Sequence, residues 1–154
     1  MGAPRLWFED IAVGRIDRYG DYPVTREEVL DFATRYDPQP FHVDDEAAAK
    51  SPLFGRLAAS GWHTASIGMR MTVDHWAPLG FASLGAAGID ELRFIAPVYP
   101  GDRLRAEAEV LETRTSASRP AVGIVRSRTT ILNQEDKPVL SHVATIFVAR
   151  RPQA

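Results

Sequence analysis

The chain has 154 residues, no cysteine and a net charge of −2, with a pI near 6.1. That composition excludes a disulfide framework, a thiolate nucleophile and a cysteine-rich metal site, and it gives no electrostatic footprint for nucleic acid or an anionic membrane. No segment reaches the roughly 20 apolar residues of a membrane span, the N-terminus lacks the apolar run of a signal peptide, and a single cytoplasmic domain over residues 1–154 is expected.

Trp7, Phe8, Ile11 and Val13 lie among polar residues and suggest an anchored N-terminal arm. The alternation of Ile16, Tyr19 and Tyr22 between Gly14 and Pro23 is compatible with a first strand. A helix opens at Thr25, where Thr25 and Glu28 have capping-box spacing and Glu27 and Glu28 favour the positive end of the dipole. Val29, Phe32 and Ala33 supply its buried stripe. Pro38 ends it at Tyr36-Asp37.

The stretch Asp37-Pro-Gln-Pro-Phe-His42-Val-Asp44 has the marks of placed chemistry. Histidine exchanges a proton near neutrality at modest cost, and a neighbouring carboxylate orients the ring or takes part in a second proton transfer. Pro38 and Pro40 push the residues before them toward extended backbone, so the chain is expected to run stiffly from Asp37 to His42. A pair on rigid backbone aims into one pocket with little freedom left to lose.

Beyond it, residues 44–50 read as a short helix with acids in the first turn and Lys50 in the last, broken by Ser51-Pro52. From Gly61 to Trp76 the large apolar residues Trp62, Ile67, Met69, Met71, Val73 and Trp76 are spread around a helix. A helix apolar nearly all round must be buried, which requires other elements wrapped about it. Those elements follow. A strand is expected on each side of a glycine-rich bend between Phe81 and Ile95, and Pro97 to Asp102 punctuates. Leu104, Ala106, Ala108 and Val110 alternate with charged residues at the period of a strand. The β-branched segments 122–132 and 139–148 flank a turn at Asn133 to Pro138. Antiparallel strands after one buried helix make an α+β layout.

Three pieces now carry a resemblance: Asp37 to Asp44, the Leu53-Phe-Gly-Arg-Leu-Ala-Ala-Ser-Gly61 approach to the long helix, and Pro97-Val-Tyr-Pro-Gly-Asp-Arg-Leu104. The chain resembles the MaoC-like hydratases and dehydratases of the hot-dog fold, and is similar to the (R)-specific enoyl-CoA hydratases. The resemblance implies a curved antiparallel sheet wrapped around the long helix, and a homodimer or higher oligomer with its acyl-thioester site at the subunit interface. It also implies that Asp37 and His42 are the catalytic pair for adding water across a trans-2-enoyl-CoA, or for the reverse elimination, with no cofactor besides the coenzyme A of the substrate. Gly61 would offer its backbone N–H to the thioester carbonyl, in keeping with the unpaired donors of a helix start. Ser60 stands where many family members have histidine and is expected to contact substrate or cap the helix. Trp62 replaces a smaller residue and is expected to narrow the pocket.

Other candidates have plainer explanations. His63 reads as a packed, hydrogen-bonded histidine, His75 as a partial cation suited to a helix C-terminus, and His142 as a strand residue. The acids Asp44, Asp45 and Glu46 at a helix start need only the dipole, so no metal is expected. Ser60 and Ser66 lie in no Gly-x-Ser-x-Gly context. Arg56, Arg70 and Arg93 are candidates to meet coenzyme A phosphates, although Arg70 and Asp74 are equally a surface pair. Two alternatives stand beside the lyase: a hot-dog thioesterase, and a non-catalytic subunit that binds acyl thioesters.

Overall fold

The computed structural model describes residues 2–153. Its strands are β1 (Ile16–Pro23), β2 (Ser83–Phe94), β3 (Arg103–Thr115), β4 (Val122–Leu132) and β5 (Pro138–Ala149). They form one sheet in the order β1-β3-β4-β5-β2, and every neighbouring pair is antiparallel. The helices are α1 (Arg26–Tyr36), α2 (Pro40–Val43), α3 (Asp45–Ala49) and α4 (Gly61–Leu79). The sheet curves about α4, which is the hot-dog arrangement. No helix among the described residues is long and apolar enough to cross a membrane.

The alternation read in β3 places Leu104 and Ala106 in the core, where they meet Val29 of α1, Ile67 and Met71 of α4, and Ile131, Val139 and Leu140 of the central strands. A second cluster gathers Ile11, Ala82, Val125 and Val148, with Trp7, Phe8 and Trp76 packed against it. The N-terminal arm is anchored there, and Leu6 bridges to Phe81. Val13 is instead exposed.

Four sequence expectations change in detail. Thr25 accepts the Glu28 backbone N–H at 3.2 Å, but the Glu28 carboxylate turns away from the cap and accepts the Tyr22 hydroxyl at 2.5 Å. The run from Asp37 to His42 is not extended throughout: Pro40, with its φ already set for a helix, starts the single turn of α2. The segment from Ser83 to Phe94 is one strand rather than two, because its irregularities are absorbed as register shifts along β5 and at Glu91 by a positive φ of 53°. Finally, α4 runs on through Pro78 to a left-handed cap at Gly80, φ 60°. It buries a stripe of His63, Thr64, Ile67, Gly68 and Met71, whereas Trp62, Met69 and Val73 are about half exposed. One sheet has one concave face to offer, so the opposite side of the helix stays open in a single chain.

Candidate active site

Asp37 is the C-cap residue of α1, and His42 lies in the single turn of α2. Pro38 and Gln39 form the short link between them. His42 is 4% exposed, with the Phe41 ring edge-on at 4.6 Å and Phe54 at 5.6 Å between centroids. Its Nδ1 lies 2.7 Å from the Ala58 carbonyl oxygen. A carbonyl only accepts, so Nδ1 carries the proton and donates it there, leaving Nε2 unprotonated in the neutral ring. That nitrogen faces Asp37 Oδ2 at 3.4 Å.

Both carboxylate oxygens of Asp37 have donors. Gln39 Nε2 donates to Oδ1 at 2.7 Å, and the Ser60 hydroxyl donates to Oδ2 at 2.7 Å. Burial pushes the Asp37 carboxyl up, but those hydrogen bonds and the adjacent His42 outweigh it and hold the group below the ordinary carboxylate range. Asp37 is therefore ionised at neutral pH. In the neutral form of the ring the Asp37 carboxylate and His42 Nε2 are two acceptors facing each other, whereas the imidazolium, the form whose charge holds the Asp37 carboxyl down, carries a proton on Nε2 toward Oδ2. The neutral pair suits a molecule that brings a proton to share, such as water.

Ser60 is fully buried and is the N-cap of α4, accepting the Trp62 N–H at 3.3 Å. Its side chain thus joins the helix start to Asp37. Gly61 is the first helical residue. Among the described residues no backbone acceptor takes its N–H, in line with the unpaired donors of any helix start. A Cβ on Gly61 would fall 2.7 Å from the Phe94 ring, so any larger residue there requires that ring or the helix start to shift. Trp62 packs edge-on against the same ring at 5.7 Å between centroids. Asp37, His42, Gly61, Trp62 and Phe94 border one pocket of about 470 Å³.

The third motif is scaffolding for this pocket. Val98 accepts the Ala59 N–H at 2.8 Å, which fixes the approach to α4. Asp102 closes the turn by accepting the Tyr99 N–H at 2.9 Å and the Gln134 side chain at 3.0 Å. Arg56 lies over the Tyr99 ring at 3.8 Å, and Arg70 pairs with Asp74 at 2.9 Å.

His63 is packed as expected, stacked on Phe32 at 4.9 Å, but it is not hydrogen-bonded. Both ring nitrogens lack a partner, and Glu28 Oε1 is 3.6 Å away. Burial lowers its pKa, against the opposing pull of Glu28. His75 stacks on Tyr19 at 4.4 Å. The acids after His42 have structural partners: Asp44 caps α3 by accepting the Ala47 N–H at 2.8 Å, and Asp45 pairs with Arg26 at 2.6 Å.

Three contributors have little or no signal in the sequence. The Ala58 carbonyl that sets the His42 tautomer is backbone, and no residue type announces it. Phe94 reaches Gly61 from a distant strand. Gln39 lies between two prolines, but nothing in its type or position marks it as a donor to Asp37.

A family model described as MaoC like domain matches residues 12–131. The crystal structure of a MaoC-like dehydratase from Rhodospirillum rubrum is 43% identical, covers 96% of this chain and 99% of its own, and superposes with a TM-score of 0.87. The (R)-hydratase from A. caviae involved in PHA biosynthesis is 26% identical, with coverage of 94% and 99% and a TM-score of 0.70. Mesaconyl-CoA hydratase of Cereibacter sphaeroides is 44% identical over 73 residues, which is 47% of this chain and 20% of that enzyme.

Proposed function

The chain belongs to the MaoC-like domain family, and from that premise we propose that it is a cytoplasmic lyase that reversibly hydrates a trans-2-enoyl-CoA to a 3-hydroxyacyl-CoA. The observation that carries this reading is the pair of facing acceptors, His42 Nε2 and Asp37 Oδ2, 3.4 Å apart beside the start of α4. A water between them donates to both. As its oxygen bonds to the β-carbon, the pair takes up one of the water's protons and hands a proton on to the α-carbon, so that water's OH and H are both added and the pair ends as it began. Electron density meanwhile moves onto the thioester oxygen. The Gly61 N–H and the positive end of α4 meet that charge, and a donor of this kind is commonly worth ~3 kcal/mol of barrier. Coenzyme A enters as part of the substrate, and no separate cofactor has a step to perform.

The relatives support the reaction class: one is named an (R)-hydratase and another a mesaconyl-CoA hydratase. The active molecule is a homodimer or higher homo-oligomer, with the thioester lying where two chains meet.

The test follows loss of enoyl-thioester absorbance with crotonyl-CoA, alongside a free-thiol assay. Wild type is expected to consume the double bond without releasing thiol. Asp37→Asn and His42→Ala are each expected to fall at least about a hundredfold while remaining folded. Thiol release would replace the lyase with a thioesterase. Full activity in either variant would remove the pair from the chemistry.

A further inference from the structure

A second, larger cavity of about 740 Å³ lies between α4 and the concave face of the sheet. Its volume is in the range that accommodates a whole small-molecule ligand. The wall is mainly apolar, with Met69 and Trp76 from α4, Ile89 and Leu92 from β2, and Ala108 and Val125 from the central strands. His142, from β5, also faces it, with a ring Nδ1 that finds no partner. Burial lowers the His142 pKa, so that ring is neutral at pH 7, and the two charged residues on the wall, Arg15 and Asp17, pair with each other at 3.2 Å.

The cavity and the catalytic pocket share one lining side chain, Trp62. Around it the two separate cleanly: Gly61, Thr64 and Phe94 belong to the catalytic pocket, and Ala65, Ser66 and Leu92 to the cavity. Trp62 is on the first turn of α4, next to the proposed oxyanion donor, with its indole edge against Phe94. An acyl chain leaving the catalytic pocket toward the larger space meets that indole first.

We infer that Trp62 is the partition that sets acyl-chain length, confining the enzyme to short acyl groups and closing off an apolar cavity otherwise able to hold a long one. This rests on the acyl-thioester reading above. The chemistry of the wall identifies the excluded cargo as a hydrocarbon chain: most of its surface is apolar, and among its polar side chains Arg15 pairs with Asp17, Tyr19 with Thr72, and Ser66 donates to the Trp62 carbonyl.

The experiment compares kcat/KM for crotonyl-CoA and trans-2-octenoyl-CoA in the full-length wild type, Trp62→Ala, Trp62→Phe and the double variant Trp62→Ala/Ala108→Leu. In Trp62→Ala the octenoyl-to-crotonyl ratio is expected to rise at least about tenfold, the scale on which apolar pockets discriminate chain length. Trp62→Phe keeps a ring in place and is expected to leave the ratio within about threefold. Refilling the cavity at Ala108 is expected to abolish the gain. A ratio unchanged in Trp62→Ala, or a gain that survives Ala108→Leu, overturns the partition. Calorimetric binding of butyryl-CoA and octanoyl-CoA gives the same comparison for any variant that binds without turnover. If wild type hydrates neither enoyl thioester, the proposed function fails, and these binding ratios still decide the role of Trp62.

Discussion

The Ser60 hydroxyl, fully buried at the start of α4, donates to Asp37 Oδ2 at 2.7 Å across 23 positions of sequence. One atom therefore caps the long helix and fixes one of the two acceptors of the site. Removing it should affect both. Ser60→Ala is expected to cost about 1 kcal/mol of unfolding free energy through the lost cap, and to release the Asp37 carboxyl upward toward the ordinary range. A carboxyl depressed in the folded state stabilises at pH above its unfolded pKa, and that stabilisation is lost as pH falls through the folded value. The acid limb of the kcat/KM profile should accordingly move to higher pH in Ser60→Ala. Ser60→Thr retains the hydroxyl and should restore the limb. An unshifted limb in Ser60→Ala would confine Ser60 to capping.

Gly61 and Phe94 form the second tight relationship. With a Cβ placed 2.7 Å from the ring, Gly61→Ala forces Phe94 or the helix start to move, and overpacking of this kind costs typically 1–3 kcal/mol. Turnover should fall more than stability does, because the displaced atoms are those that aim the first N–H of α4. Phe94→Ala in the same chain removes the clash, and chemical denaturation should then show the Gly61→Ala penalty largely erased. A penalty that persists would mean the substitution acts through backbone freedom rather than through the ring.

Two buried histidines give the stability a pH dependence of known sign. Burial lowers the pKa of His63, opposed by Glu28, and that of His142. When the folded pKa lies below the unfolded one, near 6.5, the unfolded chain binds more protons in between. Stability is then full above about pH 6.5 and declines as pH falls toward the folded values. Urea midpoints should drop through that window in wild type. His142→Leu, which also removes a polar atom from an apolar wall, should flatten part of the decline. A midpoint curve identical to wild type would show that His142 is not among the groups responsible.

Much of this molecule could be read from local pattern. Thr25 announces α1, the alternation from Leu104 to Val110 announces β3, and two prolines between Asp37 and His42 mark a pair held on stiff backbone. What escaped depends on contacts between distant segments. The Ala58 carbonyl becomes a tautomer-setting acceptor only when the approach to α4 folds over α2. Glu28 leaves its own helix cap because Tyr22 offers a donor at 2.5 Å, and that contact pushes the tyrosine up to about 12. The glycines of β2 look like a bend until β5 supplies partners that carry the strand through its bulges. Trp62 and Met69 looked like core because periodicity reports apolar faces and not how many surfaces are present to cover them.

Those uncovered faces bear on the proposed assembly. β2 is at one edge of the sheet and is exposed along almost its whole length, with Leu84, Ile89 and Phe94 each about half accessible or more. Both edges carry charges, Asp90, Glu91 and Arg93 on β2 and Asp17, Arg18 and Asp21 on β1, so it is the run of exposed apolar side chains that singles out β2. β2 is thus the edge suited to pair with its copy in a second chain, bringing the two chains together beside Trp62 and Phe94. Light scattering should give at least twice the mass of one chain. Ile89→Lys, which puts a charge in the middle of that edge, should shift the protein toward single chains and lower turnover in parallel as the concentration is reduced. If Ile89→Lys remains fully associated, the contact lies elsewhere, and if it dissociates with turnover per chain intact, the site is complete within one subunit.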